Sequence, residues 1–326
     1  MGQAWVPSAD GGFLANPKLS SKLRYAAQAM MKFNQFVRPE PGLGKGVGDT
    51  LDFDKISDIV NPTSITGISE LNAMPESKFI ITRGQLVMTE YGNSIPWTGK
   101  LETLAEFNPN NIAQQVLRND MAKTIDAIVA RTMKRCAITA TPTAAGAITI
   151  AVETTPSTGW YAGGLTAEHI YAVRDYLKAV LKCEPFDGEN YIAVGSVRAL
   201  RSLRKDTDWK DAAKFGDPER LFSGEVGRFD GIRFIESNND AALDNGLQNG
   251  GNDVGGEMLI FGADPIVSGT AIAPEIRAKV PSDYGRSKGV AWYALMGHQV
   301  PWRANLDSGA ARCVWITASD TNVPAI

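Results

Sequence analysis

Histidine and cysteine are scarce in this chain: 326 residues hold only His169 and His298, and only Cys136, Cys183 and Cys313. A zinc site draws on clustered Cys, His and carboxylate ligands. No metal site or cofactor is therefore expected, and the two histidines read as helix-start or strand residues. The cysteines are odd in number and far apart in sequence, which excludes a disulfide framework and fits buried, reduced thiols in a cytosolic setting. Charge of one sign is lacking too, since 33 Lys+Arg stand against 36 Asp+Glu for a net −3. That balance gives no global field for a dedicated nucleic-acid or membrane-surface binder. No run of about 18 apolar residues is present to span a bilayer. The opening MGQAWVPSADGGF lacks the charged start and apolar core of a signal peptide. At 44% hydrophobic the chain has enough apolar residues for one large domain or two medium ones.

The charge that is present is polarised. The first 45 residues carry six basic residues (Lys18, Lys22, Arg24, Lys32, Arg38, Lys45) and two acidic ones (Asp10, Glu40), a net +4 that leaves −7 for the rest. Within them Leu19, Leu23, Ala26, Ala27, Met30 and Phe33 recur at helical spacing, which predicts a helix over 20–35. The Pro/Gly stretch PEPGLGKG then breaks it. GDTLDFDKISDI reads as a strand, and KFIITRGQLVMTEYGNSIPWT contains the second arm of a hairpin, about 14 residues and roughly 45 Å long. Both faces of that arm mix polar and apolar groups, so the hairpin is expected to be half-solvated or covered by a partner chain.

Asn108-Pro109 supplies a cap and a first-turn proline. Ile112, Val116, Leu117, Met121, Ile125, Ile128, Val129 and Cys136 then form the apolar stripe of a helix of about 27 residues, roughly 40 Å long. Thr166 caps a second helix with Ile170, Val173, Leu177 and Leu181 on one face, and Tyr191 to Val194 read as a buried strand. Ser196 opens a further helix, and Trp209 is expected in a loop-rich connection. Later strands are expected near 232–236, 257–261, 275–280, 290–300 and 312–318, with 238–256 a mobile loop. The mixture is α+β.

No motif carries catalysis. GLGKGVGDT fails as a phosphate loop, because Pro39 stands where its first glycine belongs and Gly46 follows Lys45. No Gly-x-Ser-x-Gly elbow occurs. Arg198, Arg201 and Lys205 share one face of the Ser196-capped helix, but Asp206, Asp208 and Asp211 follow directly, so a solvated or subunit-facing surface is expected there in place of a phosphate site.

The order of parts, a basic arm, a long hairpin, a very long helix, an α/β region and a strand-rich return, resembles the major capsid protein of tailed bacteriophages, the Hong Kong 97-type fold. The hairpin strands match its extended E-loop, NPNNIAQQVLRNDMAKTIDAIVARTMKRC its spine helix, and LFSGEVGRFDGIRFIESNN followed by LIFGADPIV its A-domain. The resemblance implies an N-arm over 1–47, an E-loop over 48–107, the spine helix and first part of the P-domain over 108–165, mainly A-domain over 166–270, and return strands over 271–326. It implies a non-enzymatic virion protein, assembled in the host cytoplasm as hexamers and pentamers around double-stranded DNA. The partners implied are other copies of itself, a separate scaffolding protein, a portal, a possible cement or decoration protein, and DNA by weak contact. Lys78, Arg83, Glu90, Tyr91, Lys100, Arg198, Arg201 and Lys205 are the candidate intersubunit contacts. No motif fixes an asparagine or glutamate for lysine crosslinking, which is not expected. The alternative within the same fold is an encapsulin-like shell around a cargo enzyme.

Overall fold

The computed structural model describes residues 31–40, 48–57, 76, 78–152, 163–214, 225–239, 241–243, 255–303 and 311–319. Most of the helix expected over 20–35, the glycine-rich segment 41–47 and most of the loop over 238–256 lie outside them.

A seven-stranded sheet forms the centre. Its order is β6 (Ala147–Ala151), β5 (Thr139–Ala144), β13 (Cys313–Ser319), β10 (Gly255–Phe261), β7 (Tyr191–Ser196), β9 (Ile232–Ser237) and β8 (Glu225–Phe229). Alternation along the strands loads both faces. Tyr191, Ala193, Phe234, Met258, Ile260, Val314 and Ile316 enter one core, while Ile192, Val194, Leu259, Phe261, Cys313 and Trp315 enter the other. Helix α3 (Ala167–Asp175), continuing into a π-turn, and α4 (Val197–Leu203) cover the first face with Ile170, Val173, Leu177, Leu200 and Leu203. Trp209 joins this core from helix α5 (Thr207–Lys214), where a loop was expected.

The long helix is α2, Pro109–Met133, about 37 Å at 1.5 Å per residue. The Asn108 side chain accepts from the Asn110 N–H at 2.9 Å, and Ala137, in the left-handed region at φ 65°, ends the short 3-10 turn that follows. Two sheets share this helix. Its second half (Ala127, Val129, Ala130, Met133) covers the second face of the seven-stranded sheet. Its first half (Ala113, Leu117) packs on a four-stranded sheet of order β1 (Arg38–Pro39), β11 (Val267–Ala278), β12 (Ser287–Gln299) and β4 (Thr89–Thr98). Trp97, Leu101 of α1 (Gly99–Leu104), Trp292 and Met296 complete that third core. Asp120 fastens the joint, accepting from Trp292 Nε1 at 2.8 Å and Asn93 Nδ2 at 3.0 Å.

The apolar stripe expected on α2 is buried in part: Leu117, Val129 and Cys136 are buried, and Met121 and Ile125 pack on the third core. Val116 is 44% exposed, whereas Ala113, Ala127, Ala130 and the polar Asp126 are buried. Close helix-to-sheet packing selects small side chains on the contact line and leaves larger ones beside it. Two strand boundaries also move: β11 begins at Val267, well before 275, and the single long hairpin arm is two strands, β3 (Ile80–Val87) and β4, separated by Met88. Strand β3 pairs antiparallel with β2 (Thr50–Ser57), whereas β4 pairs with β12 in a different sheet. The Met88 N–H donates to Asp49 O at 2.8 Å, so the change of partner occurs without leaving this donor unpaired.

Candidate functional site

The β2–β3 ribbon is the element least explained by its own chain. Antiparallel pairing aligns Leu51 with Leu86, Phe53 with Gly84 and Lys55 with Thr82 on one face, and Asp52 with Gln85, Asp54 with Arg83 and Ile56 with Ile81 on the other. The first face meets the body. Leu86 is buried, and a Cβ on Gly297 of β12 would stand 2.5 Å from the Val87 carbonyl oxygen, so only glycine admits the ribbon this close. Lys55, also buried, places Nζ 5.5 Å from the centre of the Trp302 ring, and the Arg312 guanidinium lies 5.4 Å from the same ring. Both cations are within the range in which an indole face attracts them.

The second face looks outward. Arg83 Nε donates to Asp54 Oδ1 at 2.8 Å and Arg83 lies 3.9 Å from Asp52. The Arg83 hydrogen bond holds the Asp54 carboxyl below its usual range. Apolar side chains flank this charged centre: Ile56 is 65% exposed, Ile81 55% and Val87 50%, with Phe79 and Ile80 also exposed at the far end. A patch with an ionic centre and apolar margins offers both burial and orientation to a partner surface.

A second exposed point is the turn between β11 and β12. Asp283, Tyr284 and Gly285 are successively left-handed (φ 54°, 52° and 85°), and Tyr284 stands fully in solvent. Two non-glycine residues held there store backbone strain.

The arm is anchored by a buried carboxylate. Asp126 of α2 has no exposed surface, accepts the Phe33 N–H at 2.7 Å and takes Asn239 Nδ2 at 3.2 Å, with the backbone N–H groups of Lys32 and Asn34 also directed at it. Burial pushes its carboxyl up, while these donors oppose the shift. Phe33 and Phe36 then enter the core beneath the arm.

The expected contact residues fall in separate places. Lys78 and Arg83 are exposed on the ribbon; Glu90 bonds to Tyr293 across β4 and β12; Tyr91 packs on the third core; Lys100 is exposed on α1. Arg198 and Arg201 lie on α4, on the far side of the central sheet's first core, and Lys205 is exposed beyond the helix end. The ribbon and its base thus gather five of the eight, and the other three form a separate surface. Asp126, Trp302 and the buried pair of Lys134 and Glu257 were missed. A single acid inside the apolar run Ile125-Asp126-Ala127-Ile128-Val129 was a legible signal for the first.

His169 sits at the third position of α3, its Nδ1 accepting from the Thr166 N–H at 3.1 Å and its Nε2 2.8 Å from Ala144 O. His298 lies on β12. Among the described residues no group of three or more His, Cys, Asp or Glu could hold a metal ion, and no helix is long and apolar enough to cross a membrane.

No family model matches the chain, and no curated protein does. Solved structures do match over nearly the whole length. The capsid asymmetric unit of cyanophage Pam1 superposes with a TM-score of 0.67 at 15% identity, covering 95% of this chain and 100% of that one. The capsid of Ralstonia phage GP4 gives 0.66 at 13% identity, covering 98% and 99%. A structure of Mycobacterium phage Che8 gives 0.63 at 15% identity, covering 92% and 96%. With its ribbon, its shared long helix and its two sheets, this chain has the α+β Hong Kong 97-type fold of tailed-phage capsid subunits.

Proposed function

We propose that the chain is a major capsid protein that assembles as hexamers and pentamers into an icosahedral shell around double-stranded phage DNA. End-to-end agreement with phage capsid structures, with almost no residues left over on either side, carries this reading. The ribbon supports it physically. An isolated two-stranded ribbon is marginal in water, and the exposed Ile56, Ile81 and Val87 around Arg83 are the kind of surface a neighbouring copy would cover.

The N-arm is residues 1–47, the E-loop 48–107, the spine helix and first part of the P-domain 108–165, the A-domain mainly 166–270, and the return strands 271–326. Lys78, Arg83, Glu90, Tyr91 and Lys100 contact one neighbouring subunit, while Arg198, Arg201 and Lys205 meet another around the A-domain. Assembly takes place in the host cytoplasm with a scaffolding protein and a portal, and the finished shell is part of the virion, with a cement protein as an optional addition. A small net charge suits an inner wall that touches DNA weakly without trapping it.

Coexpression with the scaffolding protein, followed by negative-stain imaging, tests the reading. Uniform shells are expected, and native particles should protect genomic DNA from nuclease. A chain that stays monomeric under all assembly conditions refutes it. Shells that hold a cargo enzyme and no DNA refute the viral half.

A further inference from the structure

The three cysteines, distant in sequence, are brought near one another by the fold, and two of them meet. Cys136 closes the turn after α2 and Cys313 opens β13. Strand β13 runs parallel to β5 with Trp315 opposite Thr139, and the Trp315 N–H donates to Ile138 O at 3.0 Å. Two residues back along both segments stand Cys313 and Ala137, so Cys136 lies within one residue of the place opposite Cys313. Both side chains are fully buried in the same core, where the Cys136 thiol donates to Ile138 O at 3.8 Å. Cys183 belongs to the core on the other face of the sheet, where its Sγ donates to Glu184 O at 3.5 Å.

We propose that Cys136 and Cys313 form a dithiol site that a peroxide oxidises to an intrachain disulfide, leaving Cys183 free. Neighbouring strands lie about 4.8 Å apart and consecutive Cα atoms about 3.8 Å; with Cys136 one residue from the place opposite Cys313, the two Cα atoms are about 6 Å apart, inside the span of about 4.4–6.8 Å that a disulfide bridges. Both sulfurs are shut off from solvent, so hydrogen peroxide, a molecule little larger than water, reaches them through local opening of this core.

In the first step the Cys136 sulfur attacks one peroxide oxygen. The S–O bond forms as the O–O bond breaks, and the departing hydroxide takes up the thiol proton as water. In the second the Cys313 sulfur attacks the sulfenic sulfur. The S–S bond forms, the S–O bond breaks, and hydroxide leaves with the Cys313 proton as a second water. Two electrons pass from the sulfurs to one hydrogen peroxide. A reducing cytosol keeps the pair as thiols, so the bond forms only after the protein has left the cell. It would tie the end of α2 to β13 across most of the chain, where closing a long loop restricts the unfolded state most.

The full chain, treated with hydrogen peroxide well below its melting temperature, quenched, denatured and labelled with maleimide, tests this. Three labels are expected on reduced protein and one after peroxide, with a tryptic peptide carrying Cys136 linked to one carrying Cys313. Cys183→Ser should fall from two labels to none, and Cys313→Ser should lose its crosslink and the rise in melting temperature that oxidation brings. Cys136→Ala repeats that control if Cys313→Ser does not fold by circular dichroism. Three labels persisting on folded, peroxide-treated protein overturn the proposal. So does a link through Cys183 or a second chain, or oxidation of Cys136 to the sulfinic acid without a link. None of these readouts requires assembled shells, so they are independent of the capsid reading.

Discussion

Acid should weaken the subunit through His298. Although the residue is only partly buried, both ring nitrogens are sealed from solvent and have no hydrogen-bond partner among the described residues. Burial alone pulls its pKa down to about 4 from an ordinary value of 6.5. Ser268 faces it across the β11–β12 ladder, and among the described residues no charged group compensates it. The unfolded chain therefore takes up the proton near pH 6.5, while the native subunit resists until about pH 4. The stability associated with a neutral His298 is fully present above pH 6.5, declines as pH falls through the interval, and levels off below about pH 4. At about 1.4 kcal/mol per pKa unit the loss amounts to about 3 kcal/mol. Urea unfolding of the unassembled subunit at a series of pH values between about 7.5 and 4 would read it. Carboxylates titrate over part of the same range, so the informative quantity is the wild-type stability minus that of His298→Leu, which lacks the titration. That difference should shift against the wild type by about 3 kcal/mol on acidification. A difference that stays constant across the interval would refute the reasoning.

Three substitutions probe the other buried polar features and the ribbon base. Asp126→Ala leaves the arm's N–H donors without their acceptor and should cost about 1–3 kcal/mol in chemical unfolding; tryptic cleavage after Lys32 should accelerate, and unchanged cleavage would argue against the anchor. Lys134→Met strips Glu257, 1% exposed, of its cation and should cost about 3–5 kcal/mol, measured by urea unfolding at neutral pH, with recovery when Glu257→Gln is added. Gly297→Val forces side-chain atoms into the Val87 carbonyl and should abolish shell formation in coexpression. Circular dichroism should show that variant's subunit still folded, because the clash falls at the ribbon and not in the main cores.

Local signals in the sequence carried the elements well. The Asn108-Pro109 start, the Ser196 cap and the Thr166 helix are all where residue chemistry placed them, because capping and alternation act over a few residues. The divided hairpin arm shows the limit. Nothing between Val87 and Thr89 signals a change of sheet, since both strands keep extended backbone and the difference lies wholly in which distant strand supplies the partner. Of the stripe expected on α2, Leu117 and Val129 are buried while Val116 is not, for a related reason. A stripe of large apolar residues marks a helix that packs loosely on one partner, whereas this one presses alanines against two sheets and turns Asp126 inward to meet the arm. Five of the eight expected contact residues fall on the ribbon and its base.

By itself the sequence determined the order of elements and the α+β class, because caps and periodicity are properties of short stretches. Only the tertiary structure decided which sheet each strand joins, which side of the long helix is buried, and that two cysteines 177 positions apart (136 and 313) share one core. Those outcomes depend on contacts between segments far apart along the chain, and linear spacing carries no record of them.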